Sequence, residues 1–382
     1  MNRAADAVII GGGPAGSAMA LLLARAGRRV DLLEKSAAPE HKVCGEFLSP
    51  EAVQYLRALG IDAVVLGAAP LSRLRLASRW PIAEQPLPFA ALSLTRRALD
   101  EALLALCQRS GVNVLRGRRV ESLEPSSGGW IAQLGDGASR SAPTAFLATG
   151  KHDLHGWPRP AGKQNDLVAF KMYFRMAPAQ RRKMEGFVDL ILFPGGYAGM
   201  QQVEEETANL CLLVQRAALK RRYGSWPKLM RGICEFSPYL AERLLGAEPL
   251  LDRPLALSSI PYGYLRRGAG DNLWRLGDQA AVIPSFSGDG ASIALHSAHV
   301  AAETYLGNRG AAEYHRRLHT ELRRPLEFST TLSRLMIAAP SLAPAIGLRP
   351  GILNLFARRT RVPGSALLAG AAAGFSAAPE MQ

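Results

Sequence analysis

The residues with the clearest chemical purpose are three glycines near the start of the chain. Gly11, Gly13 and Gly16 stand in G-x-G-x-x-G spacing, with Pro14 and Ala15 between the last two. They follow a short apolar run, Asp6 to Ile10. They open a stretch in which Ala18, Leu22 and Ala26 keep helical spacing up to Gly27. A second apolar run, Val30 to Leu33, ends at Glu34-Lys35. Strand, glycine turn, helix, strand and terminal acid in that order make a grip for a dinucleotide. Gly11 allows the tight turn, Gly13 lets a pyrophosphate approach the backbone, and Gly16 lets the helix pack closely on the strand. The free amides and dipole of the helix attract phosphate charge. Glu34 can accept hydrogen bonds from an unphosphorylated ribose. This unit by itself does not separate nicotinamide from flavin dinucleotides.

A second segment separates them. Residues 273–298 begin L-W-R-L-G-D and continue through Pro284 to Gly288-Asp289-Gly290 and a run of small and apolar residues. A strand, Leu273 to Leu276, leads into Gly277-Asp278, and a long helix begins at the last glycines. This stretch resembles the second FAD fingerprint of the flavoprotein aromatic hydroxylase and geranylgeranyl reductase superfamily. The resemblance implies FAD as cofactor. It gives Asp278 the ribityl chain, sets Pro284 beside the flavin ring, and aims the helix opened by Gly288 and Gly290 at the ring's pyrimidine edge. A helix N-terminus there stabilises the negative charge of a reduced ring. The same resemblance puts Arg96, in S-L-T-R-R-A-L-D, near the flavin, and the backbone at Val120 against the adenine. The A-F-L-A-T-G stretch at 145–150 fits the same fold. It is followed by Lys151-His152-Asp153, where the hydroxylases carry an Asp-Gly pair. That departure argues against direct reduction by NAD(P)H and leaves the electron donor open.

Residues 39–52, P-E-H-K-V-C-G-E-F-L-S-P-E-A, resemble the P-x(4)-C-G motif of the geranylgeranyl reductases. The resemblance folds Cys44 and Gly45 against the flavin and makes Cys44 the catalytic candidate, as proton donor or gate. A small cysteine packed beside the ring is the alternative. Glu46 and Ser49 are further polar candidates. Residues 190–214 alternate apolar and polar between turns and read as antiparallel strands, with Tyr197 either lining a pocket or lying on a surface turn. The halogenase signature Trp-x-Trp-x-Ile-Pro is missing, since Trp157 stands in G-W-P-R-P, and so is a Cys-x(4)-Cys redox pair. His296 and His299 lie one turn apart without further ligands nearby, so no metal site is expected.

These groups need elements to hold them. The expected fold class is α/β: a Rossmann-like FAD-binding domain with a parallel sheet, drawn from residues 1–60, 90–150 and 268–310. A mainly antiparallel β-sheet substrate domain comes from 61–89 and 151–267, and a C-terminal helical region from 311–382. In that last region Leu318, Leu322, Leu326 and Leu332 keep helical spacing. Pro340, Pro344 and Pro350 then break the chain into short segments such as Leu353 to Ala357, apolar on one side and basic on the other. The segment ends Arg358-Arg359-Thr360-Arg361, and a loose tail starts at Ala366. With 382 residues and 48% hydrophobic composition the chain can bury a large core, and 20% charged residues without low-complexity tracts argue against disorder except at the extreme C-terminus. No apolar run reaches about 18 residues, and no secretory h-region is visible. The four cysteines lie far apart, and a reducing cytoplasm, at most the periphery of a membrane, is expected.

The net charge of +14 comes from scattered arginine pairs without interleaved aromatics, which excludes nucleic acid as partner. It leaves solvated arginines, or an acidic partner such as a carrier protein, a phosphorylated substrate or a membrane surface. The expected function is an FAD-dependent reductase or dehydrogenase of carbon–carbon bonds in a hydrophobic substrate (a prenyl, polyketide or acyl chain). Hydride would pass between flavin and one carbon, with Cys44 or a bound water handling the proton. The alternatives are a monooxygenase of aromatic or polyketide substrates and a non-catalytic flavin-binding redox module.

Overall fold

Five short parallel strands form the sheet that carries the glycine turn, in the order Trp274–Arg275, Thr144–Leu147, Ala7–Ile10, Val30–Glu34, Asn113–Arg116. In this computed structural model, residues 5–79, 83–204, 206–268, 270–341 and 351–367 are described. The sheet's residues are apolar without alternation because both faces are covered. Ala7, Ile9 and Leu32 face the helices Pro14–Arg25, Arg96–Arg109 and Gly290–Leu306, while Val8, Ile10 and Leu33 face a small antiparallel sheet. That small sheet is made of Val120–Ser126, Gly129–Leu134 and Ser139–Ala142.

A larger, nine-stranded sheet lies beside this unit. Along its main path run Glu248–Pro249, Leu167–Arg175, Thr207–Gln215, Gly196–Gln202, Gly186–Phe193, Ala69–Ala77, Ala83–Ser93 and Phe47–Leu48. Pairing is antiparallel except between Gly186–Phe193 and Ala69–Ala77. Phe47–Leu48 follows Cys44 by only a few residues, so the Cys-Gly stretch is tied to the edge of this sheet.

Strand alternation gives the large sheet two different faces. The back face, with Met172, Phe174, Ile191, Met200, Leu210 and Leu212, packs on the helices Trp226–Phe236 and Pro238–Arg243. The front face looks toward the residues that follow the second fingerprint. A 28-residue helix, Ala311–Ala338, runs past both units and contains Pro325 in its interior. Its Leu318, Leu322 and Leu326 join the core of the first unit, and Leu332, Met336 and Ile337 reach the front face of the large sheet. Pro344, Pro350 and the tail beyond Leu367 lie outside the described residues. Among the described residues no helix is long and apolar enough to cross a membrane.

Candidate active site

The strand Ala7–Ile10 leads into Gly11 at φ +107°, where a Cβ would lie 2.4 Å from the carbonyl oxygen of Ala148. A Cβ on Gly16 would lie 1.9 Å from the Gly11 oxygen, so helix and turn touch backbone to backbone. The helix Pro14–Arg25 starts with no side-chain cap, leaving its first-turn amides free for a ligand. Over Gly13 lies Arg96, whose Nη2 would be 3.1 Å from a Cβ there. The Thr95 hydroxyl caps the helix Arg96–Arg109 by accepting from the Ala98 amide at 3.2 Å, which fixes Arg96 in the first turn. Asp100 accepts from Arg96 at 2.8 and 3.0 Å and from Lys42 at 2.8 Å. Burial pulls the Asp100 carboxyl upward, but Arg96 and Lys42 hold it below the usual carboxylate range. Arg96, although desolvated, is kept firmly charged by Asp100.

The buried Glu34 carboxylate accepts from the amides of Gly12 at 2.7 Å and Ser36 at 2.9 Å. Lys35 beside it is exposed. The Arg118 amide donates to the Glu34 carbonyl at 3.0 Å, which brings the strand starting at Val120 to the same end of the parallel sheet.

The second fingerprint meets the first. A Cβ on Gly277, at φ +56°, would lie 3.1 Å from the Cβ of Ala15. The Asp278 carbonyl accepts from Arg159 at 2.8 Å. No side chain of the described residues hydrogen-bonds the Asp278 carboxylate, whose charge acts on Arg96. Pro284 is followed by a tight turn, Ser285–Ser287, and by left-handed Gly288, where a Cβ would strike the Phe47 ring at 2.5 Å. The helix Gly290–Leu306 again has no side-chain cap. Before it stands Asp289, fully buried; burial pushes its carboxyl up to about 7 against the pull of Arg361. Gly11, Gly13, Pro14, Ala15, Gly16, Glu34, Arg96, Gly277 and Asp278 thus come together around the first glycine turn, while Pro284, Gly288 and Gly290 follow on the loop that packs on Phe47. Two uncapped helix starts, a guanidinium over one of them and an unengaged carboxylate between suit an extended dinucleotide with anionic groups at the pyrophosphate and at the ring edge.

The stretch after Cys44 is gripped by the front of the large sheet. The Gly45 carbonyl accepts from Asn209 at 2.9 Å and from Gln201, and the Cys44 carbonyl accepts from Asn209 at 3.4 Å. Lys151 donates to the Val43 carbonyl at 2.7 Å. Glu46 has φ +62°, uncommon for a residue with a side chain, and is buried. Its Oε1 accepts from Tyr173 at 2.6 Å and from the Arg96 amide at 2.8 Å, and pairs with Lys171 at 2.6 Å. Burial raises the Glu46 carboxyl despite these partners. Cys44 itself is half-buried, and its Sγ accepts from the Glu46 amide at 3.3 Å.

Register sorts the front face into rows. One row holds Leu257, Ala169, Leu213, Tyr197 and Leu192. The next holds Lys171, Cys211, Gly199, Leu190 and Leu76. The third holds Tyr173, Asn209 and Gln201. An apolar wall therefore gives way, across Lys171, to the polar clamp on residues 44–46. Tyr197 is a buried wall residue: its ring meets Phe286 edge-on at 6.2 Å and its hydroxyl lies 3.3 Å from Ser285. The motifs did not reveal Lys171, Tyr173, Asn209 and Gln201. Their one sequence signal is a lysine inside the apolar run L-V-A-F-K-M-Y-F-R. His296 is engaged on both ring nitrogens, by Tyr55 and Glu321 at 2.8 Å each.

Residues 4–142 match the family model described as "FAD binding domain". The chain is an FAD-dependent oxidoreductase, with FAD as its cofactor. The oxidoreductase is 28% identical over 334 residues to a menaquinone reductase of Mycolicibacterium smegmatis, covering 82% of this chain and 79% of that protein. It is 27% identical over 315 residues to a tryptophan 2-halogenase of Chondromyces crocatus, covering 77% of this chain and 60% of that protein. A flavoprotein/dehydrogenase from Cytophaga hutchinsonii superposes with a TM-score of 0.76 at 18% identity, over 93% of both chains, a likeness of fold.

Proposed function

We propose that this oxidoreductase is a reductase or dehydrogenase of carbon–carbon bonds in a hydrophobic, prenyl-like substrate, in the manner of the geranylgeranyl reductases. The observation that carries the reading is the placement of Cys44. A half-buried thiol sits on a turn whose carbonyls are held by Asn209 and Gln201, on the sheet face that also carries Leu76, Leu190, Leu192, Tyr197 and Leu213. The similarity to a menaquinone reductase supports a hydrophobic substrate.

In this reading FAD, when bound, supplies the two-electron chemistry. Gly11, Gly13 and Gly16, with Pro14, Ala15 and the Arg96 guanidinium, hold its pyrophosphate; Glu34 and Lys35 hold its ribose, and Val120 flanks the adenine. Asp278 orients the ribityl chain. Gly45, Pro284, Gly288 and Gly290 give the ring close backbone contact, with the Gly290–Leu306 helix start facing negative charge. The apolar wall excludes water and orients the chain of the substrate. Cys44, or a water held beside it, gives or takes the proton at the second carbon. The net charge of +14 suits an acidic carrier protein or an anionic membrane surface as the source of such a substrate.

The competing reading, a monooxygenase, separates in one experiment. The purified holoprotein is reduced chemically without air and mixed rapidly with oxygenated buffer while the flavin spectrum is followed. Slow return to the oxidised spectrum without an oxygen-dependent transient is the expected outcome, and a long-lived transient would sink the reductase reading. With dithionite as donor and a geranylgeranyl lipid as probe, mass spectrometry should show a gain of two hydrogens. Cys44→Ala should lower that rate by roughly 10²–10⁴-fold while retaining the flavin.

A further inference from the structure

We infer that His41, Tyr173, Glu46 and Lys171 form a proton path from the surface to the row of the large sheet that borders the apolar wall. His41 is half-buried, and its Nδ1 lies 3.1 Å from the Tyr173 hydroxyl. Tyr173 donates to Glu46 Oε1 at 2.6 Å, and the same oxygen pairs with the Lys171 ammonium at 2.6 Å. Glu46 and Lys171 are both fully enclosed, each with 0% side-chain exposure. Beyond its ion pair the Lys171 ammonium has no hydrogen-bond partner among the described residues, so donors remain for a group in the pocket. Two positions along its row is Gly199, where the nearest atom to a Cβ would be 3.9 Å away, which leaves space in front of the sheet.

A buried ion pair is a poor device for stability, because desolvation offsets most of its attraction. Nor does the Cys44 turn need it as an anchor, since Gln201, Asn209 and Lys151 already hold the carbonyls from Val43 to Gly45. The positive φ of Glu46 is a local cost of the kind that persists where conformation serves chemistry. The unbroken sequence of short contacts accounts for all of these features.

The transfer balances without moving electrons. Lys171 gives one proton to the acceptor in the pocket and becomes the amine. It takes a proton from Glu46 as Tyr173 passes its own to the carboxylate; Tyr173 is refilled from His41, and His41 from water. Carboxylate and ammonium are restored, and one proton has crossed. The inference rests on the proposed reading only in that a proton must reach this pocket.

The test uses holoprotein and a small quinone, menadione, as probe, so that it does not depend on the prenyl substrate. Chemically reduced protein is mixed with menadione without air, in light and heavy water, and reoxidation of the flavin is followed. Hydroquinone formation takes two electrons and one proton from the reduced cofactor and a second proton from the path. His41→Ala should slow the reaction at least tenfold, and added imidazole should restore it. Tyr173→Phe should slow it similarly, with a changed solvent isotope effect and no rescue. Wild-type rates in both variants, or failure of imidazole to restore His41→Ala, would overturn the path. Flavin content and far-ultraviolet circular dichroism check folding. If Tyr173→Phe does not retain FAD, the His41→Ala rescue decides alone. Failure to reduce a prenyl lipid alongside a working rescue would count against the substrate reading and not against the path.

Discussion

Gly11 stands where no other residue fits. Its φ of +107° and the 2.4 Å approach to the Ala148 carbonyl oxygen act together. Gly11→Ala should therefore cost at least about 1–3 kcal/mol and shift the turn on which the helix Pro14–Arg25 starts. The expected result is purified protein with little bound flavin, read from its visible absorbance, and a lowered melting temperature; a yellow, equally stable variant would contradict this account. Such residues are legible in a sequence because their chemistry is local: a glycine turn and a Gly-Asp pair announce themselves by spacing. Lys171, Tyr173, Asn209 and Gln201 do not. They share a face only because three strands pair in one register, and a slip by one residue would turn each of them to the back of the sheet. The alternation in L-V-A-F-K-M-Y-F-R is visible, but the partner of each residue is not. The buried Cys107, by contrast, is pushed up to about 12 by desolvation and serves as core.

Elements carry a different lesson at the C-terminal end. Arg358-Arg359-Thr360-Arg361 reads as one basic surface, yet only part of it is outward. Arg358 and Arg359, at the end of the helix Ile352–Arg359, are exposed, while Thr360, Arg361 and Val362 are buried. The Arg361 guanidinium lies 3.3 Å from the Phe89 ring centroid and donates to both oxygens of Glu51 at 2.9 and 3.2 Å. It is also the main cation acting on Asp289, next to the helix that starts at Gly290. This segment thus supplies the counter-charge for two buried carboxylates, Glu51 and Asp289. Removing one partner of a buried pair costs about 3–5 kcal/mol. Arg361→Ala should lower the denaturation midpoint accordingly and weaken flavin retention, whereas Arg359→Ala should leave both near wild type. Equal effects from the two substitutions would refute the distinction. Nothing in the sequence separates these arginines, because the separation follows from which side of a short helix end meets the core.

Across the whole molecule, buried titratable groups pull stability in opposite directions with pH. His315, on the long helix, donates from Nε2 to the Leu273 carbonyl at 3.2 Å, and burial, aided by Arg266, pushes it down to about 4. Its native pKa lies below its unfolded one. Its contribution is therefore present above about 6.5 and is lost as pH falls toward 4, on the order of 3 kcal/mol in all. Burial raises Asp189 to about 6 and Asp289 to about 7, so both act with the reverse sign, losing stability as pH rises through those values. The wild-type profile mixes these terms, and the difference between wild type and His315→Asn isolates one. That difference should shrink steadily between pH 6.5 and 4 and stay constant above 7; a difference independent of pH would show that His315 is not held neutral.

The order of strands in the parallel sheet also dictates when the protein can fold. Ala7–Ile10 lies at its centre, but its neighbour Thr144–Leu147 is made much later, and Trp274–Arg275 completes the edge later still. Between them the chain leaves twice to build the large sheet. At about 5–20 residues per second of synthesis, the first strand waits on the order of tens of seconds for its last companion. During that time its apolar faces and unpaired amides are open to the wrong contacts. The nascent chain should therefore depend on chaperones, and expression should improve more from slowed synthesis or cooling than from any single stabilising substitution.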